Sequence, residues 1–548
     1  MTWLEQWAAA SPIAGGSKYL KRDKPMPRNS GFPVTISAFA VAVGACAQST
    51  AFAQADSNTV SERQSDAQAS ARSVRDRRIE DFAAAFSSGD AQKYREWLLE
   101  NRTPASLAGA TMEQRLEQYR LDFEEHGRLT IVSLRLAGSN TIEADSETSN
   151  GGTITFVFGF DPQSPFQVSS LNFRIGGPPR MNVQLSAQWT SLDALADEAR
   201  EAVGVPALAI GVYRSGTFET AISGHTIAGG SEEARVDDPF HWGSVGKSVT
   251  GTVLGALIDR GEMNWDTTIG EVFGDAPIRP EYRPVKLWQL MSHQAGVPVY
   301  TLFDEAFGQR IRSLPGSTDA DKRAAFVIEM LQEPPTFSPG EGVEYSNGGI
   351  TVAGRMAEIV SGRTWEQLVQ EYVFDAAGMR TAGFGLPTNP EHPEGIRGHF
   401  PAGPGQFAAL PLDGEILKPD VIAPAGGVHS SIGDMLRFGV MHLNGMNGQD
   451  GVISSETMRA LHTPRPGQPP SFGESYTFGW GARCPFEAPA GVRCQGHNGG
   501  GGAYYAQIVL LPDQDMVIAM MASNTMAGEA VSREVFQKVV DHYLGSPG

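Results

Sequence analysis

The chain has 548 residues, a formal charge of −19, and 41% hydrophobic against 19% charged residues. That length predicts two or three domains, with apolar material for a sizeable core. The acidic balance and the lack of a basic stripe exclude nucleic acid as a partner. No Cys/His cluster at ligand spacing and no His-Glu-x-x-His run points to a metal, and no cofactor is expected.

Lys18, Lys21, Arg22, Lys24 and Arg28 precede an apolar run from Phe32 to Ala45, and Ala53-Gln54-Ala55 offers small residues for cleavage. Residues 1–55 therefore read as an export signal, with Met26 as an alternative start. The apolar run is too short for an ordinary spanning helix. Val43-Gly44-Ala45-Cys46 opens a second route, because it resembles a lipoprotein signal that leaves a diacylated Cys46 at the mature end. A periplasmic or secreted protein is expected, touching a membrane only if Cys46 is lipidated.

Residues 56–75, rich in Ser, Gln, Asp and Ala, read as a disordered linker. From 76 to 178 the pattern is that of a small α+β domain. Ile79, Phe82, Ala83 and Phe86 have helical spacing, and further helices are predicted around Tyr94–Leu99 and Thr111–Glu125. Four strand-like runs follow, at Leu129–Leu136, Thr141–Ser146, Thr153–Phe160 and Phe166–Ile175, divided by turn residues. This arrangement is loosely similar to the nuclear-transport-factor-2-like cone fold. It holds no catalytic constellation, so positioning, dimerisation or substrate gating is its expected work.

The last unit, 186–548, opens with an amphipathic helix through Leu192, Leu195, Ala196, Ala199 and Val203. Ala207–Tyr213 and Thr217–Ile222 then predict a hairpin about Arg214-Ser215-Gly216. Ser244-Val245-Gly246-Lys247 follows, a hydroxyl and an amine three residues apart at a helix start. Positions i and i+3 share a helix face, so the two groups can meet. A serine hydroxyl needs a base to become a nucleophile, and a desolvated lysine with a lowered pKa is one. The helix start also aims backbone N–H groups at a developing oxyanion. Val249, Val253, Leu254, Leu257 and Ile258 make the ensuing helix apolar nearly all round, which predicts burial. Gly246-Lys247-Ser248 imitates the end of a phosphate-binding loop, but His241 stands where its first glycine belongs.

Tyr345-Ser346-Asn347 lies between the turn Ser338-Pro339-Gly340 and a helical pattern beginning at Ile350. A phenol can relay protons if neighbouring cations lower its pKa, and the amide of Asn347 can hold a substrate carbonyl or order the lysine. Cys484 and Cys494 bracket a Pro/Gly-containing loop and predict a disulfide after export. His497 then heads a glycine run. It can bind a carboxylate or polarise the tyrosine, while Gly499 and Gly500 permit close backbone approach and a second oxyanion donor. Ala503–Leu511 and Met516–Ala522 predict a hairpin about Pro512–Asp515, and a final helix is expected over Ser532–Tyr543.

Ser-x-x-Lys, Tyr-x-Asn and His-x-Gly, in that order, resemble the penicillin-binding-protein and serine β-lactamase superfamily. The branch is that of class C β-lactamases, D-alanyl-D-alanine carboxypeptidases and family VIII esterases. LWQLMSHQAGVP (287–298), GRTWEQLVQEYVFDAAGMRTAGFG (362–385) and PAGGVHSSIGDMLRFG (424–439) also look like this branch. The resemblance implies an α+β fold: an antiparallel sheet flanked by helices, with a mostly helical insertion carrying Ser244 and Tyr345. It implies Ser244 as acylated nucleophile, Lys247 as base, Tyr345 as proton relay and Asn347 as substrate contact. His497 stands where many members carry Lys, which leans the reading from a dedicated β-lactamase toward an esterase on small acyl esters. A D-Ala-D-Ala carboxypeptidase, a β-lactamase and a non-catalytic peptidoglycan or acyl-compound binder remain the alternatives. A small ester or peptide is the expected partner.

Overall fold

In the computed structural model the described residues run from 74 to 545, less 108–111, 139–140, 150–152, 162, 164, 177–182, 187, 301–309, 388–391, 393–394, 404–405, 411–419, 466–475, 482–483, 490 and 501–502. The expected export signal, including Cys46, lies outside them, as does the predicted linker up to residue 73. Val74 and Arg75, assigned to that linker from composition, already belong to the first helix.

The N-terminal α+β unit packs helices α1 (residues 74–87), α2 (Ala91–Asn101) and α3 (Met112–His126) with strands β1 (Leu129–Gly138), β2 (Thr141–Thr148), β3 (Thr153–Phe160) and β4 (Val168–Gly176). The strands form an antiparallel meander in sequence order. Asp90 caps α2 by accepting from the Gln92 N–H. Phe82 anchors the interior, with its ring edge-on to Trp97, Phe156 and Phe158 at 5.0, 4.9 and 5.3 Å. The Tyr119 hydroxyl, buried beside them, donates to the Phe86 carbonyl. The last strand starts later than expected because Phe166 has left-handed backbone and turns the chain.

The second unit is built on a five-stranded antiparallel sheet of β5 (Ala207–Arg214), β6 (Thr217–Gly224), β7 (Gln495–Gly500), β8 (Tyr505–Leu511) and β9 (Met516–Ala522). Its order is β7-β8-β9-β5-β6. Strands β5, β8 and β9 are buried throughout except Arg214, since both faces are covered. Leu208, Ile210, Val212, Ile518 and Met520 point to a layer holding α4 (Leu192–Val203) and α8 (Thr525–Leu544). Ala209, Tyr213, Ile508, Ala519 and Met521 point the other way, into the helical region. Ser191 and Asn524 cap the N-termini of α4 and α8. That cap starts α8 seven residues before the expected Ser532, with Val531 and Val535 buried against the sheet.

On the helical side, α5 (Gly246–Asp259), α6 (Asn347–Ser361) and α7 (Ile432–Met446) enclose the larger core. Helix α7 lies so close to the sheet that a Cβ at Gly211 would stand 2.9 Å from side-chain atoms of both Ile432 and Leu436. Core packing begins before the expected boundary of 186, because Val183 and Leu185 are buried with α4 and α8. Cys484 and Cys494 are joined, and Cys494 is buried in the same cluster, just ahead of β7. No helix among the described residues is long and apolar enough to cross a membrane.

Candidate active site

Ser244 lies in a single 3-10 turn, Gly243–Val245, that runs into α5. The turn is reached through Phe240–His241, a two-residue strand paired with Val428–Ser430. One helical turn on, the Lys247 side chain folds back, and its Nζ lies 2.9 Å from Ser244 Oγ. The same amine donates to the Ala425 carbonyl at 2.7 Å. Lys247 has no exposed surface. Burial pushes its pKa well below the ordinary lysine range, and no carboxylate among the described residues pairs with it. A neutral amine beside a serine hydroxyl is the arrangement that general-base chemistry requires.

Tyr345 sits in the extended segment before α6, where Ser346 caps the helix by accepting from the Gly349 N–H at 2.9 Å. The Tyr345 ring lies against Lys247 Nζ, 4.7 Å from its centroid, and the phenol is hydrogen-bonded to Ser244. Its pKa is raised by burial, with the Ser244 bond acting weakly in the other direction. The sequence reading asked for neighbouring cations to lower that pKa. The nearest amine is itself driven neutral, so the phenol keeps its proton and is equipped to give one.

Asn347 occupies the first turn of α6, which begins three residues before the periodic pattern suggested. Its Nδ2 donates to the Tyr300 carbonyl at 2.8 Å and its backbone N–H to Val299. The amide hydrogens thus hold the 299–300 segment beside Tyr345.

Gly499 and Gly500 belong to a strand. Strand β7 pairs with β8 from Gln495↔Leu510 to Gly500↔Tyr505 and presses against the Ser244 turn. A Cβ at Gly499 would run into Trp242 O and stand 2.6 Å from Ser244 N, and one at Gly243 would stand 2.9 Å from Gly500 N. Gly243 also has φ +52, which favours glycine. Side chains at these positions would wedge the strand away from the serine. The Ser244 and Gly500 backbone amides are therefore brought to one place.

His497, half-buried on β7, has its Nδ1 2.6 Å from the Asn498 carbonyl and its Nε2 3.1 Å from the Tyr476 hydroxyl. Burial pushes its pKa down to about 3. Two residues here were not singled out from sequence. His293 accepts the Ser346 N–H on Nδ1 at 3.1 Å, and its carbonyl accepts from the Glu344 N–H at 3.0 Å. Its ring and backbone thereby clamp both sides of Tyr345. Tyr476 lies 5.0 Å from the His293 ring, which lies 4.5 Å from Tyr345. A column of rings thus connects Tyr345 to His497. A signal for His293 was its place just past a short helix in LMSHQAG; its φ of +62 is unusual for a residue with a side chain. Tyr476 follows residues 466–475 without local periodicity, and nothing near it marked a site. No cluster able to hold a metal occurs among the described residues.

The Beta-lactamase family profile matches residues 192–540. The chain belongs to that family. Among curated relatives of this beta-lactamase-family protein, penicillin-binding protein 4 of Amycolatopsis lactamdurans is 26% identical over 372 residues, covering 66% of this chain and 90% of that one. The unguisins hydrolase ungD of Aspergillus violaceofuscus is 23% identical, covering 64% of each chain. Among solved structures, the octameric penicillin-binding protein homologue from Pyrococcus abyssi superposes with a TM-score of 0.52 at 22% identity, covering 65% of this chain and 77% of that one. At that identity the likeness speaks for the fold alone.

Proposed function

We propose that this protein is an exported serine hydrolase that forms an acyl-enzyme on Ser244 and acts as an esterase on small acyl esters. One observation carries the reading: a fully buried lysine, without a carboxylate partner among the described residues, has its amine 2.9 Å from a serine hydroxyl. In the neutral form Lys247 accepts the Ser244 proton as Oγ attacks the acyl carbonyl. The tetrahedral oxygen is received by the Ser244 and Gly500 N–H groups, whose nitrogens are brought close by the packing of β7 on the Ser244 turn. Tyr345, protonated through burial, gives its proton to the departing alcohol and recovers one from Lys247. Water then repeats the sequence on the acyl-enzyme. Family membership and the names of the relatives fit a hydrolase, and the Cys484–Cys494 bridge suits an oxidising compartment.

A fluorophosphonate probe tests this directly. Covalent labelling at Ser244 is expected, together with turnover of p-nitrophenyl butyrate, and both should vanish in Ser244→Ala. Labelling that persists in the variant would place the nucleophile elsewhere, and none in the wild type would leave a binding protein. Faster acylation by benzylpenicillin or a D-Ala-D-Ala peptide than by the ester would move the reading to a β-lactamase or a peptidase.

A further inference from the structure

The contacts of His497 limit what it can do. Its Nδ1 is 2.6 Å from the Asn498 carbonyl, so that nitrogen carries the proton. Its Nε2, left as the acceptor, receives the Tyr476 hydroxyl at 3.1 Å. Both ring nitrogens are engaged, and the ring offers an anion neither a charge nor a spare donor. The backbone sets Tyr476 there deliberately close. Tyr476 bridges Gly481, Gly481 exchanges two 2.9 Å hydrogen bonds with Gly496, and Gly496 directly precedes His497. The ring column through His293 puts this pair on the Tyr345 side of the serine, where the leaving group departs.

We propose that Tyr476 is a positioning residue that keeps both ring nitrogens of His497 hydrogen-bonded, so that the site accepts leaving groups that are neutral beside His497 and turns away those bearing a free carboxylate there. This rests on the acyl-enzyme reading above and narrows its substrate class. A carboxylate brought against such a ring loses water and gains no partner. Among the described residues, the titratable groups around the ring are Lys247, His293 and Tyr476, with Tyr345 at the far end of the ring column. Burial pushes the first two toward their neutral forms and keeps both phenols protonated. None of them supplies the missing charge.

The test compares kcat/KM for meta-carboxyphenyl butyrate and meta-carbamoylphenyl butyrate in wild type, Tyr476→Phe and His497→Lys, at about pH 5.5 and about pH 8, either side of an ordinary histidine pKa. Wild type should prefer the carbamoyl ester by at least ~10-fold at both pH values, the scale for an unpaired polar group in a site. His497→Lys should erase the preference at both. Tyr476→Phe leaves Nε2 without its donor, and a carboxylate brought beside it favours the protonated ring, so the preference should narrow at the lower pH only. A merely structural loss would slow both esters alike and leave the ratio where it was. A wild type that hydrolyses the carboxylate ester as well as its partner overturns the proposal, as does a Tyr476→Phe ratio indifferent to pH. Hydrolysis of neither ester, with no fluorophosphonate label on Ser244, would instead remove the acyl-enzyme reading and this one with it.

Discussion

Lys247 and Arg323 are both cations without exposed surface, yet their surroundings treat the charge in opposite ways. Around Lys247 the contacts are a hydroxyl, a carbonyl and an aromatic face. Burial alone decides, and the amine is pushed toward neutrality. Around Arg323, burial also works against the charge. But Glu358 and Glu366 outweigh it and hold the guanidinium above its usual range. Its Nη2 donates to Glu358 at 2.8 Å and to both Glu366 oxygens at 2.9 Å. Arg355 and the Trp365 N–H share the Glu358 carboxylate. The difference teaches that depth by itself does not make a base; depth without a counter-ion does.

The largest effect should come from breaking the paired cation. Arg323→Met leaves the buried Glu358 carboxylate with only Arg355 and the Trp365 N–H, and removing one partner of a buried ion pair costs about 3–5 kcal/mol. Urea unfolding should show that loss, while ester turnover per folded molecule stays within about twofold, as expected for a site remote from the reacting atoms. A stability change under about 1 kcal/mol would mean that the network contributes little.

Next comes the unpaired cation. Lys247→Arg puts a permanently charged group, unable to surrender its proton, where the amine works neutral, and kcat/KM for a neutral ester should fall by at least ~10²-fold. The wild-type pH profile sharpens the point. The working form is the neutral amine and its pKa is lowered. Activity should therefore be lost only as pH falls through that depressed value, and be flat from there toward the free-lysine value of about 10.4. A wild-type limb centred near about 10.4 would show an amine that is charged at rest.

The smallest effect asks whether Arg323's surroundings can keep a lysine charged. Arg323→Lys forfeits the fork and should cost roughly 1.5 kcal/mol, about one charge-assisted hydrogen bond. With two glutamates beside it, the new amine should stay protonated, so stability should not vary from this group between about pH 7 and about pH 9. Were it depressed like Lys247, the unfolded chain would bind more protons than the native one, and stability would rise with pH across that window. Urea midpoints at the two pH values distinguish these outcomes.

Much of the site was legible in the chain because its chemistry is local. Ser244 and Lys247 meet through one helical turn, and Cys484 and Cys494 join across a short loop. The two hairpins also followed from apolar runs broken at Arg214–Gly216 and Pro512–Asp515. The later start of β4 and earlier start of α8 were not legible, since a left-handed Phe166 and an Asn524 cap set them. Tyr476 and His293 escaped for a different reason. Each works through a partner far along the chain: His497 for one, Ser346 and Glu344 for the other.

The sequence by itself determined the residue types, their order and the contacts that one turn or a short loop closes: nucleophile with amine, and Cys484 with Cys494. Only the tertiary structure decided the state of each group. Whether Lys247 is neutral, Tyr345 protonated and His497 committed on both nitrogens depends on who stands opposite. Those neighbours, Ala425, His293 and Tyr476, arrive from distant segments. Protonation is set by desolvation and by the sum of nearby charges and hydrogen bonds. Those quantities come into being only when the chain has closed around the group.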